Sequence, residues 1–294
     1  MNTIQSINVG IGNGSLATSV CWLLEQAGIT YDPCSRAISQ EPKNRLVQKI
    51  FTSRPQHLTA LLRASIVDCV IMGEDMLAEY SDQSEFIAIT SIQLSKTTRT
   101  TNTRVISFVR TDSNYKDIKD LNGCAILSEY PRVTKRWLKK NGVVARIIPS
   151  TGSTEGIIAT GVYDCGIGVT ETGASLEKNN LRKLKIIMDA PVVIATRAER
   201  ANDEQIQCFA RMLAGVHVAQ NYALLKMNAE KKNLPILIAL LPALKSPTVH
   251  ELSNKNSVAV ETIVMKSDLT WLIVKLQNVG ASGIIWHNIN GIVA

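Results

Sequence analysis

Aromatic residues are scarce in this sequence of 294 residues; Phe, Tyr and Trp together make up 5% of it. Stacking of bases on aromatic rings is a main source of affinity for single-stranded nucleic acids. No run of Lys or Arg exceeds two residues, although the formal net charge is +7. The charge by itself fits either nucleic acid or phosphorylated metabolites as anionic partners. Because aromatic residues are few, we expect phosphorylated metabolites and no nucleic acid, and we interpret the scattered cations as solvated helix faces.

Long apolar runs and cysteine pairs are also missing. The longest apolar stretch, residues 234–244, is short and interrupted by two prolines, so the sequence predicts no membrane span. No basic segment followed by an apolar one opens the chain, so we expect no signal peptide. The six cysteines include no C-x-x-C pair, which indicates a reducing, cytoplasmic compartment. The four histidines lack metal-ligand spacing, which argues against a zinc site.

Motifs for covalent catalysis are absent as well. The sequence contains no G-x-S-x-G elbow, no P-loop lysine motif and no Cys/His pair. These patterns mark a nucleophile or a nucleotide-phosphate cradle in many enzymes. The chain therefore offers no evident covalent nucleophile.

The most informative stretch runs from Gly152 to Leu176. A β-prone apolar run leads into the loop T-E-T-G-A-S, residues 170–175, and a helix-prone segment follows. A helix that begins at such a loop directs free N–H groups and the positive end of its dipole towards an anion. Gly173 would let the backbone approach the anion closely. The pattern indicates either a phosphate site or an ordinary strand-to-helix turn.

The spacing of Glu155, Gly161 and Asp164 before T-G-A-S-L resembles the signature of ATP phosphoribosyltransferase, the first enzyme of histidine biosynthesis. The family pattern is roughly E-x5-G-x-A-D-x-I-x-D-L-V-x-T-G-x-T-L. The resemblance implies that the loop holds the 5-phosphate of phosphoribosyl pyrophosphate (PRPP). It assigns PRPP contacts to Gly152, Ser153, Glu155, Asp164, Thr170, Glu171, Thr172, Gly173, Ala174 and Ser175.

One position departs from the family pattern. Gly168 stands where the family carries a second Asp, near the ribose and magnesium. Restoring a carboxylate there is expected to raise activity, unless Gly168 adopts a positive φ that a side chain would disturb. Mg²⁺ is implied as the cofactor, bound mainly through the substrate, with Glu155 and Asp164 as candidate contacts. For Asp164, closing the edge of its strand is the alternative role.

The nucleotide side carries further resemblance. The family's K-x-G-R-L motif corresponds to G-N-G-S-L at residues 12–16, where Gly12 and Ser15 replace the two basic residues. The segments G-x-D/N-x-L-x-E after a strand and Y-P before a helix also match. The resemblance assigns ATP contacts to Gly14, Ser15, Leu16, Arg54, Gly73, Glu74, Tyr130 and Pro131. For Tyr130, packing over the helix start is the alternative.

Alternating strands and helices predict an α/β fold with two lobes. We expect a periplasmic-binding-protein-like (type II) phosphoribosyltransferase core, with ligand at the carboxyl ends of the strands. The first lobe is assigned residues 1–96 and 186–220, and the second residues 97–185. A polar segment with five Thr, residues 95–103, is expected to be a loop or hinge. Strands at 184–188 and 191–195 are expected to return to the first lobe.

The pattern changes after residue 220. Residues 221–294 show the order βαββαβ, which is typical of a ferredoxin-like α+β domain. The segments S-P-T-V and G-A-S resemble the regulatory third domain of the long-form enzyme. The resemblance implies inhibition by L-histidine, with contacts at Pro247, Thr248, Ala281 and Ser282, and a homo-hexamer in equilibrium with dimers.

The resemblance therefore implies a glycosyltransferase that moves the phosphoribosyl group of PRPP to N1 of ATP and releases pyrophosphate. Its transition state at C1′ is oxocarbenium-like, so the protein must hold two polyanions in line and exclude water. The charges missing at Gly12, Ser15 and Gly168 imply either compensation by other residues or reduced turnover. The alternative is a noncatalytic binding or regulatory paralogue that kept the fold.

Overall fold

The computed structural model of the protein describes residues 6–14, 16–82, 84–94, 103–242 and 246–293. The chain divides into two compact units, Met1–Ala210 and Arg211–Ala294. The elements up to the unit boundary are, in chain order, β1 (Ile7–Gly12), α1 (Ala17–Gln26), β2 (Ser39–Gln40), β3 (Val47–Ser53), α2 (Pro55–Arg63), β4 (Cys69–Gly73), α3 (Glu74–Tyr80), β5 (Phe86–Ile92), β6 (Arg104–Arg110), β7 (Ala125–Ser128), α4 (Pro131–Lys140), β8 (Arg146–Pro149), α5 (Thr154–Ala159), β9 (Cys165–Thr170), α6 (Ala174–Lys178), β10 (Leu181–Asp189), β11 (Val192–Arg197) and α7 (Glu204–Ala219), which crosses the boundary.

The first lobe is a six-stranded sheet in the order β2-β3-β1-β4-β11-β5. Strand β1 pairs in parallel with β3 and β4, and β11 runs antiparallel to β4 and β5. All five residues of β4 are buried, as expected for a strand covered on both faces. Helix α2 begins at Pro55, where the missing N–H costs nothing because that group has no partner within the helix.

The second lobe is a five-stranded sheet in the order β10-β6-β9-β7-β8. Strand β7 pairs in parallel with β8 and β9, while β6 runs antiparallel to β9 and β10. The chain therefore crosses between the lobes twice, once from β5 to β6 and once from β10 to β11. The first unit has the predicted two-lobed, periplasmic-binding-protein-like α/β fold, which is confirmed. Residues 95–102 of the predicted hinge lie outside the described residues.

The sequence predicts that the strand at 184–188 returns to the first lobe, and this prediction is wrong. Strand β10 pairs with β6 from Leu181 to Asp189, and Leu181 is buried in the second lobe's core beside Ile106. Only β11 joins the first sheet. Two apolar strands separated by a short link look alike in sequence, and their partners are residues far away in the chain.

Helix α7 is capped by the side chain of Asp203. The Asp203 carboxylate accepts hydrogen bonds from the backbone N–H groups of Gln205 and Ile206 at 3.2 and 3.3 Å. A side-chain acceptor at this place satisfies N–H groups that have no partner within the helix.

The second unit contains β12 (Tyr222–Glu230), α8 (Leu234–Leu240), β13 (Thr248–Glu251), β14 (Ser257–Met265), α9 (Leu269–Asn278) and β15 (Ser282–Asn288). Its four strands lie in the order β13-β14-β12-β15, and every neighbouring pair is antiparallel. This arrangement is ferredoxin-like and confirms the predicted fold class. Helices α8 and α9 contribute Leu237, Leu272 and Leu276 to a core against one face of the sheet. No helix in the described part of the chain is long and apolar enough to span a membrane.

Candidate active site

A cavity of about 300 Å³ lies between the two lobes of the first unit. Its walls come from the ends of β1, β4, β7 and β9 and from the elements that follow them. The side chains and glycines that line it are Gly12, Gly14, Leu16, Val20, Pro55, Ile71, Met72, Gly73, Asp75, Met76, Thr103, Glu129, Tyr130, Val169, Glu171, Ala190 and Val192. The carboxyl ends of strands in open α/β sheets are the usual place for a ligand.

Several residues predicted for the nucleotide side line this cavity, namely Gly14, Leu16, Gly73 and Tyr130. Three others are sequence neighbours of lining residues without lining the cavity themselves: Arg54, Glu74 and Pro131. Burial raises the pKa of the Glu74 carboxyl, and the nearby Asp75 adds to the effect. Ser15 lies outside the described residues.

Tyr130 of the second lobe contacts Asp75 of the first lobe across the cavity. Its hydroxyl donates a 2.6 Å hydrogen bond to the Asp75 carboxylate, and both residues are buried. Burial raises the pKa of both groups, and the hydrogen bond from Tyr130 opposes the rise for Asp75. Tyr130 therefore joins the two lobes at the cavity wall as well as covering the start of α4.

The predicted phosphate loop, residues 170–175, connects β9 to α6. Gly173 precedes α6 and has φ +83°, in the left-handed region that favours glycine. Its N–H donates to the Thr170 hydroxyl at 3.1 Å, and the N–H of Ala174 donates to the Thr172 hydroxyl at 3.4 Å. The Ser175 hydroxyl donates to the Glu155 carboxylate at 3.2 Å. The loop is thus already organised by its own hydroxyls.

A second cavity of about 360 Å³ lies on the α6 side of this loop. Thr170, Thr172 and Gly173 line it. Three cationic side chains, Arg104, Arg182 and Lys183, and two carboxylates, Glu171 and Glu177, line it as well. Arg104 pairs with Asp189 at 3.0 Å, and Arg182 donates to the backbone of Ser113 and Tyr115. Helix α6 has only five residues, so its dipole is weak, and the cations supply most of the positive potential here.

The turn before α5 places the remaining predicted PRPP residues near the loop. Gly152 and Ser153 have φ values of +133° and +56°, and α5 then begins at Thr154 with Glu155 in its first turn. The contact between Glu155 and Ser175 ties α5 to α6. This cluster and the phosphate loop therefore form one surface.

Asp164 does not belong to that surface. It precedes β9, whereas the phosphate loop follows it, and six residues of strand separate the two by roughly 20 Å. Its carboxylate accepts hydrogen bonds from the Tyr115 hydroxyl at 2.9 Å and from the N–H of Ala125 at 2.8 Å. These contacts correspond to the alternative role, in which Asp164 closes a strand edge.

Glu129 lines the interlobe cavity, and the sequence patterns did not indicate it. It follows β7, directly before Tyr130. Gly168 of β9 lies beside it: a Cβ at Gly168 would be 3.7 Å from Glu129 Oε1 and 3.5 Å from Phe108 Cε1. Gly168 does not have a positive φ, so the interpretation that required one is wrong. The position of Glu129 at the carboxyl end of a strand could have pointed to it.

The residues that line the interlobe cavity carry negative charge. Three carboxylates, Asp75, Glu129 and Glu171, are among its lining residues, and no Lys or Arg is among those that the structure describes there. The protein as a whole has a net charge of +7. The basic groups near the site therefore lie on the other side of the phosphate loop, in the cavity with Arg104, Arg182 and Lys183.

The four residues predicted for histidine lie on two different edges of the second unit's sheet. Pro247 and Thr248 are at the start of β13, and Ala281 and Ser282 are at the start of β15. These strands are the two outer strands of the sheet. Three strand spacings, roughly 14 Å, separate them, so a single chain does not bring the two pairs together.

Comparison with known proteins shows which protein family this chain resembles. Residues 54–215 match the sequence model described as "ATP phosphoribosyltransferase", and residues 219–291 match the one described as "HisG, C-terminal domain". An ATP phosphoribosyltransferase of Pelotomaculum thermopropionicum is 31% identical over 293 residues, which cover 98% of this chain and 100% of the relative. An ATP phosphoribosyltransferase of Chlorobium phaeobacteroides is 31% identical over 298 residues, which cover 100% of both.

A solved structure shares the fold of the first unit. The ATP phosphoribosyl transferase (HisG:HisZ) complex from Thermotoga maritima contains a chain that superposes with a TM-score of 0.57 and 23% identity. The match covers 71% of this chain and 96% of that chain. At this identity the likeness supports the fold alone.

Proposed function

The chain belongs to the ATP phosphoribosyltransferase family, and we propose that its interlobe cleft transfers the phosphoribosyl group of PRPP to N1 of ATP. This reaction is the first step of L-histidine biosynthesis. The observation that carries the proposal is the similarity of the whole chain to relatives of that name. Both relatives are named as enzymes, which favours the catalytic hypothesis over a noncatalytic paralogue.

The 5-phosphate of PRPP binds at residues 170–175. The Thr170 and Thr172 hydroxyls, which now accept from Gly173 and Ala174, can rotate to donate to phosphate oxygens and release those N–H groups. The neighbouring cations Arg104 and Lys183 favour a dianion at this loop. The loop is therefore the better place for phosphate than the acidic interlobe cavity.

The adenine and ribose of ATP occupy the part of the interlobe cavity that β1, β4 and the segments after them form. Its volume of about 300 Å³ lies at the lower end of the range for ligand pockets, which are mainly apolar with a few polar groups. Leu16, Ile71 and Val192 supply apolar wall, and Asp75 and Tyr130 supply fixed polar groups. Because Gly12 replaces a basic residue of the family, the triphosphate gains no cation from that loop.

Mg²⁺ fits this site as an ion carried by the substrate. Among the described residues, no three His, Cys, Asp or Glu side chains stand close enough to hold a metal by themselves. Mg²⁺ is usually bound by one or two carboxylates together with water and substrate phosphates. Glu171 of the cavity wall would be its protein contact. The ion supplies neutralisation of the charge that develops on the leaving pyrophosphate.

The chemistry makes one bond and breaks one. The lone pair of adenine N1 forms the bond to C1′, and the electrons of the C1′–O bond leave with pyrophosphate. The side chains of this protein orient the two substrates in line and exclude water from the oxocarbenium-like centre. The buried hydrogen bond between Tyr130 and Asp75 joins the two lobes at the wall of the cleft.

The second unit binds L-histidine between two copies of the chain. Pro247 and Thr248 lie on the β13 edge, and Ala281 and Ser282 lie on the β15 edge. A complete site therefore needs the β13 edge of one copy and the β15 edge of another. The homo-hexamer and dimer implied by the resemblance would supply such pairs of edges.

Steady-state kinetics with ATP, PRPP and Mg²⁺ test the function. We expect pyrophosphate release that depends on both substrates, together with a product whose mass equals ATP plus the phosphoribosyl group. Reactions without PRPP are the control for ATP hydrolysis. A folded protein that binds PRPP but forms no such product would support the noncatalytic paralogue instead.

A further inference from the structure

We infer that Glu129 supplies the substrate-facing carboxylate at the place where Gly168 has no side chain, and that it accepts hydrogen bonds from the ribose hydroxyls of PRPP. The inference rests on the proposed function, because it assigns a residue to the ribose within the same cleft. It explains how the site keeps a carboxylate beside β9 although the strand itself carries glycine at this position.

The geometry at Gly168 is the first observation. Gly168 does not have a positive φ, and a Cβ built on it would make ordinary contacts, 3.5 Å from Phe108 Cε1 and 3.7 Å from Glu129 Oε1. A side chain at residue 168 would therefore extend towards the Glu129 carboxylate. The space that an Asp at residue 168 would enter is the space beside the end of Glu129.

The way in which Glu129 is held is the second observation. Its N–H donates to the carbonyl of Ile167 at 3.1 Å, which places it directly beside β9. Its Oε1 accepts a 2.7 Å hydrogen bond from the hydroxyl of Thr154, a fully buried residue. Thr154 is in turn 3.0 Å from the Ser150 hydroxyl. The carboxylate of Glu129 is thus fixed by α5, the helix that also carries Glu155, while its side chain lines the cavity.

Charge repulsion means that the site can carry a carboxylate at residue 129 or at residue 168, but not at both. An Asp at residue 168 would stand next to Glu129, and two carboxylates at such a distance cannot both ionise without a penalty. A site with Glu129 and Gly168 and a site with Asp at 168 and a neutral residue at 129 are therefore equivalent solutions. For this reason we expect Gly168→Asp alone to lower activity, which reverses the expectation from the sequence.

Three variants test the inference in the full chain: Glu129→Gln, Gly168→Asp and the double variant. Glu129→Gln keeps an acceptor for Thr154 but loses the charge, and we expect kcat/KM for PRPP to fall at least about tenfold, mainly through KM, because hydrogen bonds to charged groups are the stronger ones. Gly168→Asp should also lower kcat/KM. The double variant should recover at least about fivefold over Glu129→Gln, because it restores one carboxylate without repulsion.

Gly168→Ala is the matched steric control, since it adds only the Cβ that already fits, and it should stay within about twofold of the wild type. Thermal denaturation checks that every variant folds. Wild-type values for Glu129→Gln, or a double variant no better than Glu129→Gln, would overturn the inference. If the wild type forms no product, the proposed function fails, and calorimetry with PRPP then decides. Weaker binding to Glu129→Gln than to the wild type and Gly168→Ala supports the inference, and equal or absent binding overturns it.

Discussion

Gly173 is the residue at which backbone conformation and ligand binding are most closely linked. Its φ of +83° lies in the left-handed region, and a Cβ there would meet no atom within 4 Å. Substitution therefore acts through backbone strain, which is largest for a β-branched side chain. We expect Gly173→Val to deform the phosphate loop and to weaken PRPP binding about tenfold, or about 1.4 kcal/mol, in calorimetry.

Gly123 provides a matched control for this prediction. It has φ +80° and equally open surroundings, but it lies in the turn before β7 and lines neither cavity. Gly123→Val should lower the free energy of unfolding by about 1–3 kcal/mol, as expected for Gly173→Val. Its affinity for PRPP should not change. A loss of affinity in both variants would mean that general destabilisation, rather than the loop, controls binding.

The ionisation of Asp75 makes the stability of the folded protein depend on pH. Burial raises the pKa of its carboxyl, and hydrogen bonds from Tyr130 and the N–H of Met76 only partly oppose this. Below about pH 4, the ordinary pKa of an Asp, the carboxyl is protonated in both the folded and the unfolded chain. As the pH rises from there through the raised pKa, the unfolded chain loses its proton first, so stability is lost.

Asp75→Asn removes this titration. The free energy of unfolding of the wild type minus that of the variant should fall as the pH rises above about 4, and it should level off once the pH passes the folded pKa. Urea denaturation at several pH values measures the difference. A difference that is independent of pH would show that Asp75 does not titrate with a raised pKa.

At the scale of elements, α3 of the first lobe caps α4 of the second. Glu79, which is only 4% exposed, accepts hydrogen bonds from the N–H groups of Arg132 and Val133, both at 2.9 Å. Arg136 of α4 also donates to the carbonyl of Ala78. A carboxylate at this place satisfies two N–H groups and complements the helix dipole. The helix start at Tyr130 is therefore held by the opposite lobe.

Glu79→Ala should leave both N–H groups buried without this acceptor. We expect the free energy of unfolding to fall by about 2–4 kcal/mol, measured by urea denaturation. Asp82→Ala is the control, because Asp82 also contacts Arg132, at 2.6 Å, but is 83% exposed. Exposed ion pairs contribute less than about 1 kcal/mol. Equal losses for the two variants would argue against the capping role of Glu79.

At the scale of the whole molecule, the histidine site is expected to form only between copies. Thr248→Glu and Ser282→Glu each alter one edge of the second unit's sheet, so each variant alone should lose histidine binding in calorimetry. In a mixed dimer with two reciprocal interfaces, one site carries both substitutions and the other carries neither. Mixing the two variants should therefore restore roughly a quarter of the wild-type sites, if subunits exchange at random.

This complementation separates the shared site from a site within one chain. If each chain bound histidine by itself, no mixture of the two variants would regain binding. Light scattering on the same samples checks that the variants still associate. A Thr248→Glu protein that binds histidine with full affinity would remove the β13 edge from the site.

Local chemistry in the sequence determined the order and type of most elements. Pro55 and Pro131 mark the starts of α2 and α4, Asp203 caps α7, and the βαββαβ order after residue 220 is that of the observed sheet. These features depend on hydrophobic period, caps and turns within a few residues of each other. The family motif around residues 170–175 likewise lies in one short stretch.

Tertiary structure decided which residues meet. Pairing placed β10 beside β6 rather than in the first sheet, and strand direction placed Asp164 away from the phosphate loop. The proximity of Glu129 to Gly168 joins residues 39 positions apart, and sheet order placed Thr248 and Ser282 on opposite edges. Such contacts depend on long-range strand pairing and packing, which local period and capping do not encode.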